Sequence, residues 1–337
     1  MKQKKKEYNL KHSILLLLLL AVFLIVASYA WFTSNQVVTV SSLDVQVEAK
    51  NGLQISVDGT NWKSVIASSD ITGAYQTYPT NAGNTNQLPS ILEPVSTVGN
   101  IDATTGFMKM YYGEVVTDEA TGDYYLTATR STEVAGTTGR FIAFDLFFKV
   151  DQDTEVFLSR NSNVISTTGF QSVGMEYASR VAFANEGNVA AGTATSTIQG
   201  LKGAIDSLVY IWEPNSDVHT AAAVAHANDT YGITSLQQSG ASALANYGIK
   251  APIARTDNVL VGNTNLVNNE FFSLRAPNYT TAKAYNTATE NVSLFELKAG
   301  ITKMRMYMWV EGQDVDCENN ASGSNISFNL QVTTKQV

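Results

Sequence analysis

Few side chains in this 337-residue sequence are of the types that carry covalent or metal chemistry, and their spacing decides what they can do. Cys317 is the only cysteine, so no disulfide can form within the chain. A cysteine nucleophile needs a base beside it. Beyond residue 30 the histidines are His219 and His226, in an Ala-rich, loop-like stretch far from Cys317 in sequence. Cys317 is therefore expected to be a small buried or half-buried side chain. Zinc needs three or four converging ligands. The sequence holds no His-Glu-x-x-His and no second cysteine, and His219 and His226 sit in a weakly patterned segment. On these grounds no metal site, no cofactor and no catalytic residue is expected.

Oxygen-rich turns offer a different cation chemistry, that of calcium. Glu311, Asp314, Asp316, Glu318 and Asn319 crowd a turn between two strongly patterned segments, and Asp151-Gln152-Asp153 occupies another. The spacing does not fit the EF-hand loop, and acidic residues at strand ends are ordinarily solvated turn formers, which is the reading preferred for both. The two acids of a glycosidase can be remote in sequence, but nothing marks any acid here as unusual. Glycines fall in turns rather than in a phosphate-cradling series. Tyr111, Tyr112, Tyr124, Tyr125 and the tryptophans are candidates for a sugar-stacking platform. On strands, aromatics more often pack across strands or in the core.

The elements that must position these residues read as strands. Val38 and Val40 share one face, then Leu43, Val45, Val47 and Ala49 continue in the opposite parity, so the phase slips at Ser41-Ser42 as at a β-bulge. Asn51-Gly52 is a tight-turn pair, and Leu53, Ile55 and Val57 alternate after it, which predicts a hairpin. Trp62 is expected at the core edge. Residues 67–106 carry Pro79, Pro89 and Pro94 with little periodicity, and read as a long surface connection. A second hairpin is predicted from Tyr111–Thr117 and Tyr124–Arg130 around Asp118–Asp123. Phe141–Val150 is the strongest core strand, with Ile142, Phe144, Leu146, Phe148 and Val150 on one face and Phe141, Ala143, Asp145, Phe147 and Lys149 on the other. Val156–Leu158, Arg180–Ala184, Leu208–Trp212, Val292–Leu297, Met304–Val310 and Ile326–Val332 complete the series. Residues 215–260 read as an insertion. Many strands joined by turns, without βα alternation, predict an all-β fold of the antiparallel sandwich type over residues 31–337.

The first thirty residues have a different character. Lys2, Lys4, Lys5, Lys6 and Lys11 precede an apolar run from Ile14 to Ala27, and Ser28-Tyr29-Ala30 supplies small residues at the −3 and −1 positions of a cleavage site. This is the order of a secretory signal, with cleavage expected between Ala30 and Trp31. Counted through Phe32, the run also approaches the ~18–20 residues of an uncleaved membrane-anchoring helix. Either outcome places the body of the chain outside the membrane. Removing residues 1–30 takes five lysines and one glutamate from 22 basic and 30 acidic residues, which leaves 17 and 29 and a net charge of −12. Such a surface repels phosphate backbones and excludes nucleic acid as a partner. An exported chain of this size without disulfides suits a Gram-positive-type surface.

The leader ending Ser28-Tyr29-Ala30-Trp31-Phe32-Thr33, followed directly by Val-rich strands, resembles the exported TasA/camelysin group of Gram-positive bacteria. Tyr210-Ile211-Trp212-Glu213-Pro214-Asn215 and Met308–Cys317 are similar to segments of uncharacterised secreted β-rich proteins of Firmicutes. The resemblance implies a jelly-roll-like extracellular sandwich that serves as a fibre, pilus-like or biofilm-matrix subunit. Proteolysis, described for camelysin-like proteins, is not carried over, because no metal motif is visible. The expected function is therefore structural and non-enzymatic, with self-association or other surface proteins as partners. In that reading cleavage frees Trp31–Ala49 as a strand that completes a neighbour's sheet. The alternative is an adhesin or glycan-binding module with its site in the 67–106 and 215–260 loops.

Overall fold

The computed structural model describes residues 37–48, 52–78, 86–117, 124–167, 174–214, 219–225, 278–281, 291–312, 314, 316–317 and 323–334. Residues 1–36, with the expected cleavage site at Ala30 and Trp31, most of residues 215–260, His226, Glu318, Asn319 and residues 118–123 lie outside the described residues. The protein is all-β, and most of its strand pairs are antiparallel. Among the described residues no helix is long and apolar enough to cross a membrane.

Three sheets form the body. The first runs β14 (Val292–Leu297), β9 (Thr154–Leu158), β16 (Ser324–Thr333), β1 (Val38–Glu48) and β3 (Val65–Ile66), with β10 (Asn163–Ser166) beside β16 and β4 (Ile91–Leu92) beside β1. The second runs β13 (Asn278–Thr281), β12 (Val209–Glu213), β11 (Ser179–Val189), β15 (Gly300–Val310), β8 (Ile142–Val150) and β2 (Gln54–Ser56). The third holds β5 (Ser96–Ile101), β6 (Met108–Thr117) and β7 (Tyr124–Ser131). Helices among the described residues include α1 (Ser68–Thr77) and α2 (Thr195–Gln199), and residues 221–225 are helical as well.

The second sheet is the middle layer. Ile142, Phe144, Leu146 and Phe148 of β8 and Met304, Met306, Met308 and Val310 of β15 share one core with Val45 and Val47 of β1 and Phe328 and Leu330 of β16. The opposite side of the same strands, Phe141, Ala143, Tyr307 and Trp309, packs on Met108 and Met110 of the third sheet. Near the β2 edge, Tyr78, Ile198 and Trp62 close over Phe147 and Ile301. All eleven residues of β15 are consequently buried. The two-layer sandwich expected from sequence is thus extended by a third layer. The apolar residues on both sides of Phe141–Val150 are the cause, because each side needs its own cover.

Several expectations need correction for the same reason. The 67–106 segment is not a surface connection: Ile71, Ala74, Tyr78, Gln87, Leu92, Val95 and Ile101 are buried, and the segment supplies α1, β4 and β5. Asp70 accepts a hydrogen bond from the Ala67 N–H at 3.1 Å and starts α1. The hairpin predicted at Asn51-Gly52 does not form. Gly52, at φ 74°, carries the chain from the first sheet to the second, where Ile55 pairs with Phe148 and is fully buried. β1 instead pairs in parallel with β16, from Val38 against Ser324 to Glu48 against Thr333. The bulge lies where the parity slip predicts, between Val40 and Ser42. The 111–130 hairpin forms in the expected register, Thr117 against Tyr124. Gly300 opens β15 at φ 119°, where any Cβ would stand 2.2 Å from the Val189 carbonyl oxygen.

Candidate functional site

The side of the central sheet that faces the third layer carries charge inside the protein. Asp145 lies opposite Arg305 in the β8–β15 register, and an Arg305 Nη1–H donates to its Oδ1 at 2.6 Å. Lys303, two residues along the same face, reaches Asp145 Oδ2 at 3.0 Å and Glu186 Oε2 at 2.9 Å. Glu186 is the extra residue of a bulge in β11 between Asn185 and Gly187, and that irregularity turns its carboxyl toward Lys303. Lys303 also donates to the carbonyls of Gln199 and Leu201, at 3.1 and 2.9 Å. Glu133 takes the other side of the Arg305 guanidinium and accepts the Tyr307 hydroxyl at 2.7 Å. The Tyr78 hydroxyl sits 2.9 Å from Asp145 Oδ2 and 2.7 Å from the Gln199 carbonyl.

Two cations therefore face three carboxyls, and the environment decides which of them ionise. Burial works against the Asp145 carboxylate, but Lys303 and Arg305 outweigh it and hold the group below the usual range. Burial, and then the Asp145 charge, push Glu186 up to about 7. Lys303 is raised even though burial opposes its charge, because Asp145 and Glu186 both favour the ammonium. The group is a closed ionic lock between layers rather than a solvent-facing catalytic pair.

A second charged group occupies the end of the same sheet. Arg180 at the start of β11 meets Glu213 at the end of β12 at 2.5 Å, and also binds Asp314 just past β15. Asp314 Oδ1 accepts the Asp316 N–H at 2.9 Å. Asp316 in turn accepts the Thr220 N–H at 2.8 Å and contacts His219 Nδ1 at 2.7 Å. Burial raises Asp314 to about 6 against the pull of Arg180. For His219, burial lowers the pKa, but the bond to Asp316 and the charges of Asp314, Asp316 and Glu213 outweigh it, so the imidazolium is favoured. One nitrogen of His219 and one oxygen from each of Asp314 and Asp316 lie within 4.8 Å of one another.

This grouping overturns two expectations. Asp314 and Asp316 are not solvated turn formers: they are 2% and 0% exposed, and Glu311 is buried as well, accepting from the Trp309 indole at 3.1 Å. Nor are the candidate metal ligands scattered, because the fold brings His219 to Asp316 across 97 residues of sequence. By contrast, Asp151 and Asp153 are exposed, as a solvated turn requires. Cys317 is buried, as expected. The aromatic platform does not assemble from the described side chains. Tyr111, Trp212 and Trp309 are buried, and Arg140 stacks on Tyr112 at 3.9 Å. Trp62 is partly buried beside Lys149, as a residue at the core edge should be.

The first described strand, β1, has a seat of its own. Val38, Leu43, Val45 and Val47 are buried in the main core, so β1 completes that core rather than decorating it. It is not free in the monomer. β16 covers one edge, and β3 and β4 pair with the two ends of the other. Between β3 and β4, Ser68 bridges to the Leu43 backbone, and a cavity of about 200 Å³ is lined by Val40, Leu43, Ile71, Leu88, Pro89 and Ile142. Comparison with protein-family models, with characterised proteins and with solved structures returned no match to this chain.

Proposed function

We propose that this chain is an exported structural protein of a bacterial surface, a fibre or matrix subunit of jelly-roll type whose copies join by exchange of β1. It acts by assembly and not by catalysis, its partners are further copies or other surface proteins, and it needs no cofactor. The observation that carries this reading is the place of β1: the strand nearest the leader buries Val38, Leu43, Val45 and Val47 in the main core and pairs in parallel with β16. A strand with those properties can leave one molecule and enter another while keeping every pairing, because the receiving seat is identical. The basic, apolar and small-residue order of residues 2–30 supports export. The charged groups of the interior, engaged with one another, support a non-catalytic role.

Cysteines across the β1–β16 register test it directly. In a Cys317→Ser background, one population carries Gln46→Cys and the other Gln331→Cys, positions that face each other in the ladder. Mixed and concentrated after removal of the leader, the two populations are expected to form a disulfide between molecules, in oligomers that grow with concentration. Protein that stays monomeric and yields no cross-link at any concentration sinks the reading.

A further inference from the structure

We propose that His219, Asp314 and Asp316 form a binding site for a divalent transition-metal ion of the zinc or manganese kind, which ties the 219–225 segment to the end of the central sheet. The three donors converge within 4.8 Å, and each is buried. One imidazole and two carboxylates are a mixed donor set: imidazole suits zinc and other transition metals, while carboxylate suits manganese, magnesium and calcium. The imidazole counts against calcium, which takes six to eight oxygens.

A further observation points to a cation. The His219 ring is 4% exposed and its Nε2 has no hydrogen-bond partner among the described residues, a costly state for a buried polar atom. The charges agree: Arg180 pairs with Glu213 and Asp314, and Asp316 is balanced by His219 or by an ion. Asp316 Oδ2 already engages His219 Nδ1 at 2.7 Å, which leaves Nε2 as the ring nitrogen open to an ion. Arg180 holds Asp314 in place from the side, the part an outer partner plays for a metal-binding carboxylate. An ion there joins segments far apart in sequence, as a staple does in a chain whose single cysteine can make no disulfide.

The leaderless protein, stripped with chelator and dialysed, is titrated separately with zinc, manganese and calcium, with metal content, binding heat and thermal midpoint as readouts. One equivalent of zinc or manganese is expected to bind and raise the midpoint, and calcium to do neither. His219→Gln is expected to lower affinity ~100-fold or more, the upper end of what even outer partners of a metal contribute, whereas His226→Gln keeps it. If His219→Gln does not fold, Asp316→Asn read by circular dichroism and the cobalt(II) absorption spectrum of the unaltered protein take its place. No stoichiometric binding, binding that survives His219→Gln, or binding lost with His226→Gln overturns the site. None of these outcomes bears on β1 exchange.

Discussion

The two faces of β15 are both buried and are built on opposite principles. Met304, Met306, Met308 and Val310 face the first sheet in a core without charge, whereas Lys303 and Arg305 face the third layer among Asp145, Glu186 and Glu133. Apolar packing is non-directional and tolerates repacking if volume is kept. A buried ion pair tolerates little, since each charge depends on a partner at a fixed place. The methionine face thus supplies burial, and the charged face fixes how the third layer, α2 and Tyr78 register on the sheet. Arg305→Met keeps the bulk of the side chain but takes the cation from Glu133 and leaves Asp145 to Lys303. It is expected to cost ~3–5 kcal/mol, the range for removing one partner of a buried pair, read from urea unfolding. A loss below that of an ordinary core substitution breaks the comparison.

The protonation state of Glu186 sharpens it. An unfolded glutamate titrates near ~4.3, and in the folded chain burial and the Asp145 charge push Glu186 up to about 7. Between these values the folded protein holds a proton that the unfolded chain has released, so stability falls as pH rises through that window. At ~1.4 kcal/mol per pH unit the loss reaches up to about 4 kcal/mol. Asp145 moves the other way. Its depressed pKa gives stability that is present above the unfolded value and lost only as pH falls through the lower, folded one. Unfolding measured in chelator from pH 4.5 to 7.5 is expected to show the decline, and Glu186→Gln to make it shallower, leaving the part that Asp314, raised to about 6, contributes. An unchanged slope in that variant places the titration elsewhere.

How much of this was legible in the sequence differs by feature. The slip at Ser41-Ser42 and the two-sided apolar pattern of Phe141–Val150 were, because both are local periodicities. The parallel partnership of β1 with β16 was not, because backbone ladders carry no complementary code and the two strands lie at opposite ends of the chain. Asn51-Gly52 misled for a related reason: the pair specifies a tight bend, but the burial of Ile55 against Phe148 decides which sheet the next strand joins. Asp145 among Phe141, Ala143 and Phe147 was the visible sign of the ionic lock. Read as one polar residue on a half-covered face, it gave no hint of Lys303 or Arg305 as partners, whose own alternation with methionines carried the matching signal. Glu186-Gly187 inside β11 is the local sign of its bulge, since a glycine within a strand often marks one. His219 and Asp316 have no local relation at all, so only the fold could join them.

On the apolar face the expected effects are smaller. Met306→Leu conserves volume and removes no partner, so it is expected to cost under ~1.5 kcal/mol by the same urea measurement. A cost near that of Arg305→Met would mean that the methionines are as position-specific as the charges.

Charge alone is not what makes the inner face rigid, and the turn that leads into β15 provides the control. Lys298 reaches Asp153 and Glu296, each at 2.9 Å, which matches the geometry of the Lys303 pairs in distance and in number of carboxylates. The difference is water. All three of these side chains are more than half exposed, whereas Lys303 is 3% exposed. Solvent and salt screen the exposed group, and ordering its side chains cancels the remaining attraction. Lys298→Ala is therefore expected to leave the unfolding midpoint unchanged within error, at low salt and at high salt alike. A measurable loss at low salt would show that carboxylates near this turn act together with the buried lock, and that the division between the two faces of β15 extends beyond the strand itself.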